Sequence, residues 1–95
     1  MKNNPLVSVV IPVFNEIDSL EELVTRVHTA MSTLGKEWEL VLVDDGSKDG
    51  SFDRIRQLKQ RFPQIRGLRF DRNHGQTAAM DAGIRAARGR VVVTM

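Results

Sequence analysis

The sequence predicts a doubly wound α/β domain built on a four-stranded parallel sheet with spatial order 3-2-1-4. Two observations predict it. Short apolar, β-branched runs alternate with helical stripes in the order strand, helix, strand, helix, strand, helix, strand. The length of 95 residues suits one small domain or a piece of a larger one.

Leu6 to Phe14 is apolar apart from Ser8 and Pro12 and reads as a first strand buried on both faces, with Pro12 marking its end or an irregular edge. Asp18 or Ser19 then caps a helix, and Ser19 with Glu22 has the form of a capping box. Leu20, Leu23, Val24, Val27, Met31 and Leu34 share one stripe of that helix, and Gly35 stops it. Leu40 to Val43 is the second strand, and it runs into the turn-rich segment Asp44 to Gly50. Phe52, Ile55, Leu58 and Phe62 mark a second helix that ends at Pro63. Ile65 to Phe70 reads as a short third strand near an edge. The alanine-rich run from Gly75 to Ala87 gives a third helix closed by Gly89, and Arg90 to Met95 begins a fourth strand. The chain stops inside that apolar strand without a turn or cap, which predicts the front part of a longer protein.

Composition narrows the function classes. Lys and Arg number 14 against 12 Asp and Glu, so the charge is nearly balanced and offers no basic face for nucleic acid. The absence of cysteine removes disulfides, thiolate metal sites and a cysteine nucleophile, and it fits a cytoplasmic setting. No apolar run approaches the roughly 18 residues that a membrane span needs, and the opening Met1 to Pro5 lacks the apolar core of a signal peptide.

In doubly wound sheets, ligands settle at the carboxyl ends of the strands, beside the point where strand order reverses. Here that point lies between strands one and four, next to Pro12 to Glu16. Asp44 and Asp45 end strand two, where paired acids can hold a cation, accept from a ribose or base N–H, or simply make a turn with Gly46. Asn15 and Glu16 are equally placed to meet a sugar or base or to cap a helix. Arg72 to Thr77 forms a polar loop entering the third helix, whose N-terminal amides could face phosphate, or whose Thr77 could be an ordinary cap. His74 reads as a solvated loop residue, His28 as a boundary residue of the first helix, and Trp38 and Met80 as packing.

Three segments in order, Val9-Val10-Ile11-Pro12-Val13-Phe14-Asn15-Glu16, Leu42-Val43-Asp44-Asp45-Gly46-Ser47-Lys48-Asp49-Gly50 and Arg72-Asn73-His74-Gly75-Gln76 with Ala78 to Gly83, resemble family 2 glycosyltransferases. The Gly75-Gln76 form of the third segment is most similar to the polyprenyl-phosphate sugar transferases, the group of dolichyl-phosphate mannose synthase. The resemblance implies a Rossmann-like sheet, the N-terminal part of a glycosyltransferase A-type fold, with residues 1–95 as the nucleotide-sugar-binding half. It implies that Pro12, Phe14 and Glu16 line the nucleoside pocket and that Asp45, with Asp44 beside it, recognises the base edge. Gly75 and Gln76 would then lie near the donor diphosphate. Asp81 stands where many relatives carry Asn, which puts a donor contact there in doubt.

The same resemblance implies Mg2+ or Mn2+ as cofactor, held by an Asp-x-Asp motif expected after Met95, so that no catalytic residue falls within the 95. It implies a nucleoside-diphosphate sugar as donor and a polyprenyl phosphate as acceptor, with the parent protein at the cytoplasmic face of a membrane. A non-catalytic nucleotide-binding module is the competing reading. A signalling receiver domain is disfavoured, because the acidic pair follows strand two. The valine-rich fourth strand is expected to pair with another copy when its flanking strands are missing.

Overall fold

The computed structural model describes residues 5–95, so the signal-peptide reading of residues 1–4 lies outside it. Its elements are β1 (Val7–Val13), α1 (Leu20–Ser32), β2 (Trp38–Asp44), α2 (Ser51–Arg61), β3 (Ile65–Arg69), α3 (Gln76–Ala86) and β4 (Val91–Thr94). All three strand pairings are parallel and the order is β3-β2-β1-β4, as the order of apolar runs predicts.

Side chains alternate across β1 and β2, and the two faces carry different loads. Val7, Val9, Ile11, Val13, Leu40 and Leu42 pack with Leu20, Val24 and Val27 of α1 and with Ile55 and Leu58 of α2. On the other face Val10, Val41 and Val43 meet α3 through Ala79. The small residues of α3 are what let it approach, since a Cβ on Gly83 would lie 2.3 Å from Val10 Cγ1.

Pro12 lies within β1, opposite Val43, and does not end the strand. The carbonyls of Leu6 and Val10 accept from the amides of Val91 and Met95 on the β4 side, and that of Val13 accepts from Asp45 just beyond β2. With a period of two, Pro12 faces the β4 side, beyond Val10, the last β1 residue paired there. Having no N–H, Pro12 offers that ladder no further donor.

The predicted capping box does not form. Ser19 has αR backbone angles and makes no side-chain cap bond; its hydroxyl donates instead to the Glu16 carbonyl at 3.2 Å. Glu22 reaches along the helix to Arg26. The helix also ends earlier than the stripe suggests, because the Leu34 amide turns back to the Met31 carbonyl. Leu34 is consequently exposed, and Gly35 (φ +65°) serves the following turn and not the helix end. At α3 the N-cap is Gly75 and not Thr77.

β2 begins two residues earlier than the apolar run, at Trp38 and Glu39. Glu39 is buried at the amino end of the sheet, where its carboxylate accepts from the Ser8 hydroxyl, the Arg88 amide (2.7 Å) and Arg66 Nη1 (2.9 Å). The Gly89 amide donates to Ser8 Oγ at 2.7 Å, and Arg66 also reaches the Ala86 carbonyl. This cluster joins β1, β2, β3 and the approach to β4. Burial raises the Glu39 carboxyl, but the donors from Ser8, Arg88 and Arg66 outweigh it and hold the group below the usual carboxylate range.

Candidate functional site

Three loops meet at the opposite, carboxyl end of the sheet: residues 14–19 after β1, 45–50 after β2 and 70–75 after β3. Between them lies a crevice of about 170 Å3, lined by Pro12, Val13, Phe14, Glu16, Asp45 and Gln76. Five of the seven residues named from the sequence thus come together. Phe14 is 44% exposed, which leaves much of its ring free for a flat ligand.

Asp44 and Gly75 do not line the crevice. Asp44 is the last residue of β2 and is fully buried; its Oδ1 accepts from the Ser47 amide at 3.2 Å, while Oδ2 is buried without a partner. This is turn chemistry, an Asx-type closure of the loop. Gly75 caps α3 at φ +100°, and its amide points back to Asp45.

Four bonds join the first loop to the second and to the opening of α2. The Asn15 amide donates to Ser47 Oγ (2.8 Å), and Asn15 Oδ1 accepts from the Lys48 amide (2.8 Å). The Glu16 amide donates to Ser51 Oγ (3.1 Å), and the Ile17 amide to Asp49 Oδ2 (3.1 Å). Asn15 holds φ +52°, a left-handed conformation that Asn tolerates and that these partners fix. The Ser51 hydroxyl keeps the Asp49 carboxyl below its ordinary range, against some desolvation, with help from the Ile17 and Ser51 amides. Glu16 is left with an exposed carboxylate of which only Oε1 is engaged, by the Phe14 amide at 3.3 Å.

Asp45 ties the second loop to the third. Its Oδ1 accepts from the His74 amide at 2.7 Å, and Oδ2 accepts from the Gly75 amide and Asn73 Nδ2, both at 3.0 Å. Asn73 Nδ2 also donates to the Asp45 carbonyl at 3.2 Å. Although only 3% exposed, Asp45 borders the crevice. The backbone of Gly46 (φ +77°) presses on the third loop so closely that a Cβ would lie 2.3 Å from the Arg72 carbonyl carbon. Beyond Gly75, the amides of Gln76, Thr77 and Ala78 open α3 without intrahelical acceptors, as at any helix start.

His74 is exposed, its ring edge-on to Phe70 at 5.1 Å, and only its backbone amide serves the site. His28 packs between Trp38 and Phe62, away from the crevice. Ser47, Asp49, Ser51 and Asn73 brace the site and were not singled out as site residues by sequence reasoning. Their partners lie 28 to 35 positions away, so spacing alone gives no signal for them.

Among the described residues no group of three or more His, Cys, Asp or Glu converges as metal ligands do. Asp44 is enclosed and Asp45 is engaged by amides, so neither fits a cation site as it stands.

The model of the family described as "Glycosyl transferase family 2" matches residues 8–95. An undecaprenyl-phosphate 4-deoxy-4-formamido-L-arabinose transferase of Edwardsiella ictaluri is 44% identical over 95 residues, covering 99% of this chain and 29% of its own length. A dodecaprenyl-phosphate galacturonate synthase of Rhizobium johnstonii is 48% identical over 89 residues, covering 93% of this chain and 26% of its own. Among solved structures, a mannosyltransferase of Pyrobaculum calidifontis superposes with a TM-score of 0.79 at 24% identity, over 95% of this chain and 26% of that one. S. aureus TarS 1-349 gives 0.77 at 22% identity, with the same coverage. These likenesses show the glycosyltransferase A-type fold. The chain spans between a quarter and a third of the length of these relatives.

Proposed function

The chain belongs to glycosyl transferase family 2, and from that premise we propose that residues 1–95 hold the nucleoside end of a nucleoside-diphosphate sugar for a transferase acting on a polyprenyl phosphate. The observation that carries this reading is the crevice at the carboxyl ends of β1 and β2, with an exposed aromatic face at Phe14 and acceptors at Asp45 and Glu16. Phe14 stacks on the base, Asp45 accepts from the base edge, and Glu16 meets the ribose hydroxyls. The open amides of α3 beside Gln76 face the diphosphate, where a helix N-terminus favours negative charge.

The acceptor class is supported by the printed names of the two relatives, an undecaprenyl-phosphate and a dodecaprenyl-phosphate enzyme. A phosphate oxygen of such an acceptor is already anionic and needs no general base. It attacks the anomeric carbon as the bond to the diphosphate breaks, with inversion. The Pyrobaculum mannosyltransferase is described in complex with GDP-Man and Mn2+. A divalent ion, Mg2+ or Mn2+, would neutralise the leaving diphosphate in the parent protein, with ligands outside the described residues. A lipid-linked acceptor sets the reaction at a membrane, which we assign to the cytoplasmic face. Among the described residues no helix is long and apolar enough to cross a membrane.

Calorimetry with UDP and GDP tests the donor-binding reading. Weak binding of one of them is expected, and Asp45→Asn is expected to lower the affinity about tenfold by removing a charge-assisted bond. An affinity unchanged by Asp45→Asn, with the fold checked by thermal melting, would refute its role. The second reading is a nucleotide-binding module without chemistry, with the metal ligands of the transferase outside the 95 residues. Incubation with donor sugar and either ion should accordingly give neither transfer nor hydrolysis. The exposed Val91, Val92 and Val93 of edge strand β4 support association of copies through that strand, which light scattering on the wild type and on Val92→Lys would measure.

A further inference from the structure

An Asp carboxylate offers about four acceptor sites, two on each oxygen. On Asp45 three are taken: both on Oδ2, by Asn73 Nδ2 and the Gly75 amide, and one on Oδ1, by the His74 amide. One site remains, on Oδ1, in a residue that borders the crevice. Asn73 has a distinct part in this arrangement. Its side-chain amide makes two contacts, both to acceptors of Asp45, the carbonyl and Oδ2. The two backbone amides follow the path of the loop, and Asn73 is the only side chain among the described residues that bonds the Asp45 carboxylate.

We propose that Asn73 is a positioning and specificity-determining residue: by saturating Oδ2 and clamping the Asp45 backbone, it leaves Oδ1 as the single acceptor turned to the base. The inference rests on the donor-binding reading above. A lone, fixed carboxylate acceptor favours a base that presents a ring N–H, as uracil and guanine do. It repels one that presents a ring-nitrogen lone pair at the same edge, as cytosine and adenine do. Without Asn73 the His74 and Gly75 amides still hold one oxygen each, but Oδ2 regains an open acceptor site. That second site can accept from an amino group, so the carboxylate no longer offers the base a single acceptor. Asn73 thus acts on base choice through Asp45, without itself touching the nucleotide.

The test compares the affinities of the 95-residue chain for UDP, CDP, GDP and ADP, in wild type, Asn73→Ala, Asp45→Asn and the double variant. The wild type should prefer UDP over CDP, or GDP over ADP, by about tenfold or more. Asn73→Ala should bring that ratio close to one while retaining binding, and it should have no further effect in the Asp45→Asn background. A merely structural Asn73 would weaken all four nucleotides alike and leave the ratio standing; that result, or additive effects in the double variant, overturns the inference alone. Failure of the wild type to bind any of the four overturns the donor-binding reading and this inference with it. Should Asn73→Ala not fold, Asn73→Ser, which keeps a shorter donor, takes its place with an intermediate ratio expected. Misfolding of both would mark Asn73 as structural and equally overturn the inference.

Discussion

The two ends of the sheet use the same device to opposite purpose. At the amino end the Glu39 carboxylate gathers a hydroxyl, a backbone amide and a guanidinium from three other parts of the chain. At the carboxyl end the Asp45 carboxylate gathers two backbone amides and a side-chain amide from one loop. Glu39 is ion-paired with Arg66 and lies inside the framework, whereas among the described residues no ion pair reaches Asp45, which borders a crevice. A carboxylate closed off by a cation contributes stability, and one left with neutral donors and an open acceptor site remains available to a ligand.

The comparison can be broken most forcefully at Glu39. Glu39→Ala leaves the Arg66 guanidinium, the Ser8 hydroxyl and the Arg88 amide without their acceptor, which should cost about 3 kcal/mol in urea unfolding. The nucleotide affinity of the molecules that remain folded should not change, and a parallel loss of affinity would deny that the two ends are separable. Gly46→Ala tests the converse. It imposes a Cβ at φ +77° within 2.3 Å of the Arg72 backbone, so it should cost about 2 kcal/mol and also weaken nucleotide binding by parting the second and third loops. Unaltered binding by a folded Gly46→Ala chain would show that the contact between these loops does not shape the crevice.

The smallest effect is expected in acid. The Glu39 carboxyl is held below its unfolded value of about 4.3, so its contribution is fully present above that pH and fades as the pH falls through the lower folded value. Asp49 shifts in the same direction and adds to the same slope. Urea unfolding between about pH 5 and 3 should show stability falling, and the fall should be shallower in Glu39→Gln. An equal slope in both would remove Glu39 from the acid limb.

Much of this was legible in the sequence because the signals are local. The apolar runs at Val9–Val13 and Leu40–Val43, and the alternation with helical stripes, dictate a parallel sheet whose strand order the structure reproduces. Pro12, Phe14, Glu16, Asp45 and Gln76 reach one crevice because each lies at or just beyond the carboxyl end of a strand or opens a helix beside it. The failures arise where another bond, local at Ser19 and tertiary at Glu39, outcompetes the expected pattern. Ser19 and Glu22 have capping-box spacing, yet the Ser19 hydroxyl finds the Glu16 carbonyl instead. The apolar run starts at Leu40 and leaves Glu39 outside it, yet partners up to 49 residues away bury Glu39 inside β2. The separate fates of Asp44 and Asp45 depend on the strand's last pleat and on Asn73, neither of which adjacency in sequence reveals.

The central claim is that the carboxyl-end crevice, and not the amino-end cluster, receives the nucleotide. Titrating isotopically labelled chain with UDP and with GDP while following backbone amide resonances tests it directly. The account predicts shifts at Val13 to Glu16, at Asp45 and at His74 to Thr77, with Ser8, Glu39, Arg66 and Gly89 unmoved. Shifts centred on the Glu39 cluster, or none anywhere with either nucleotide, would contradict it.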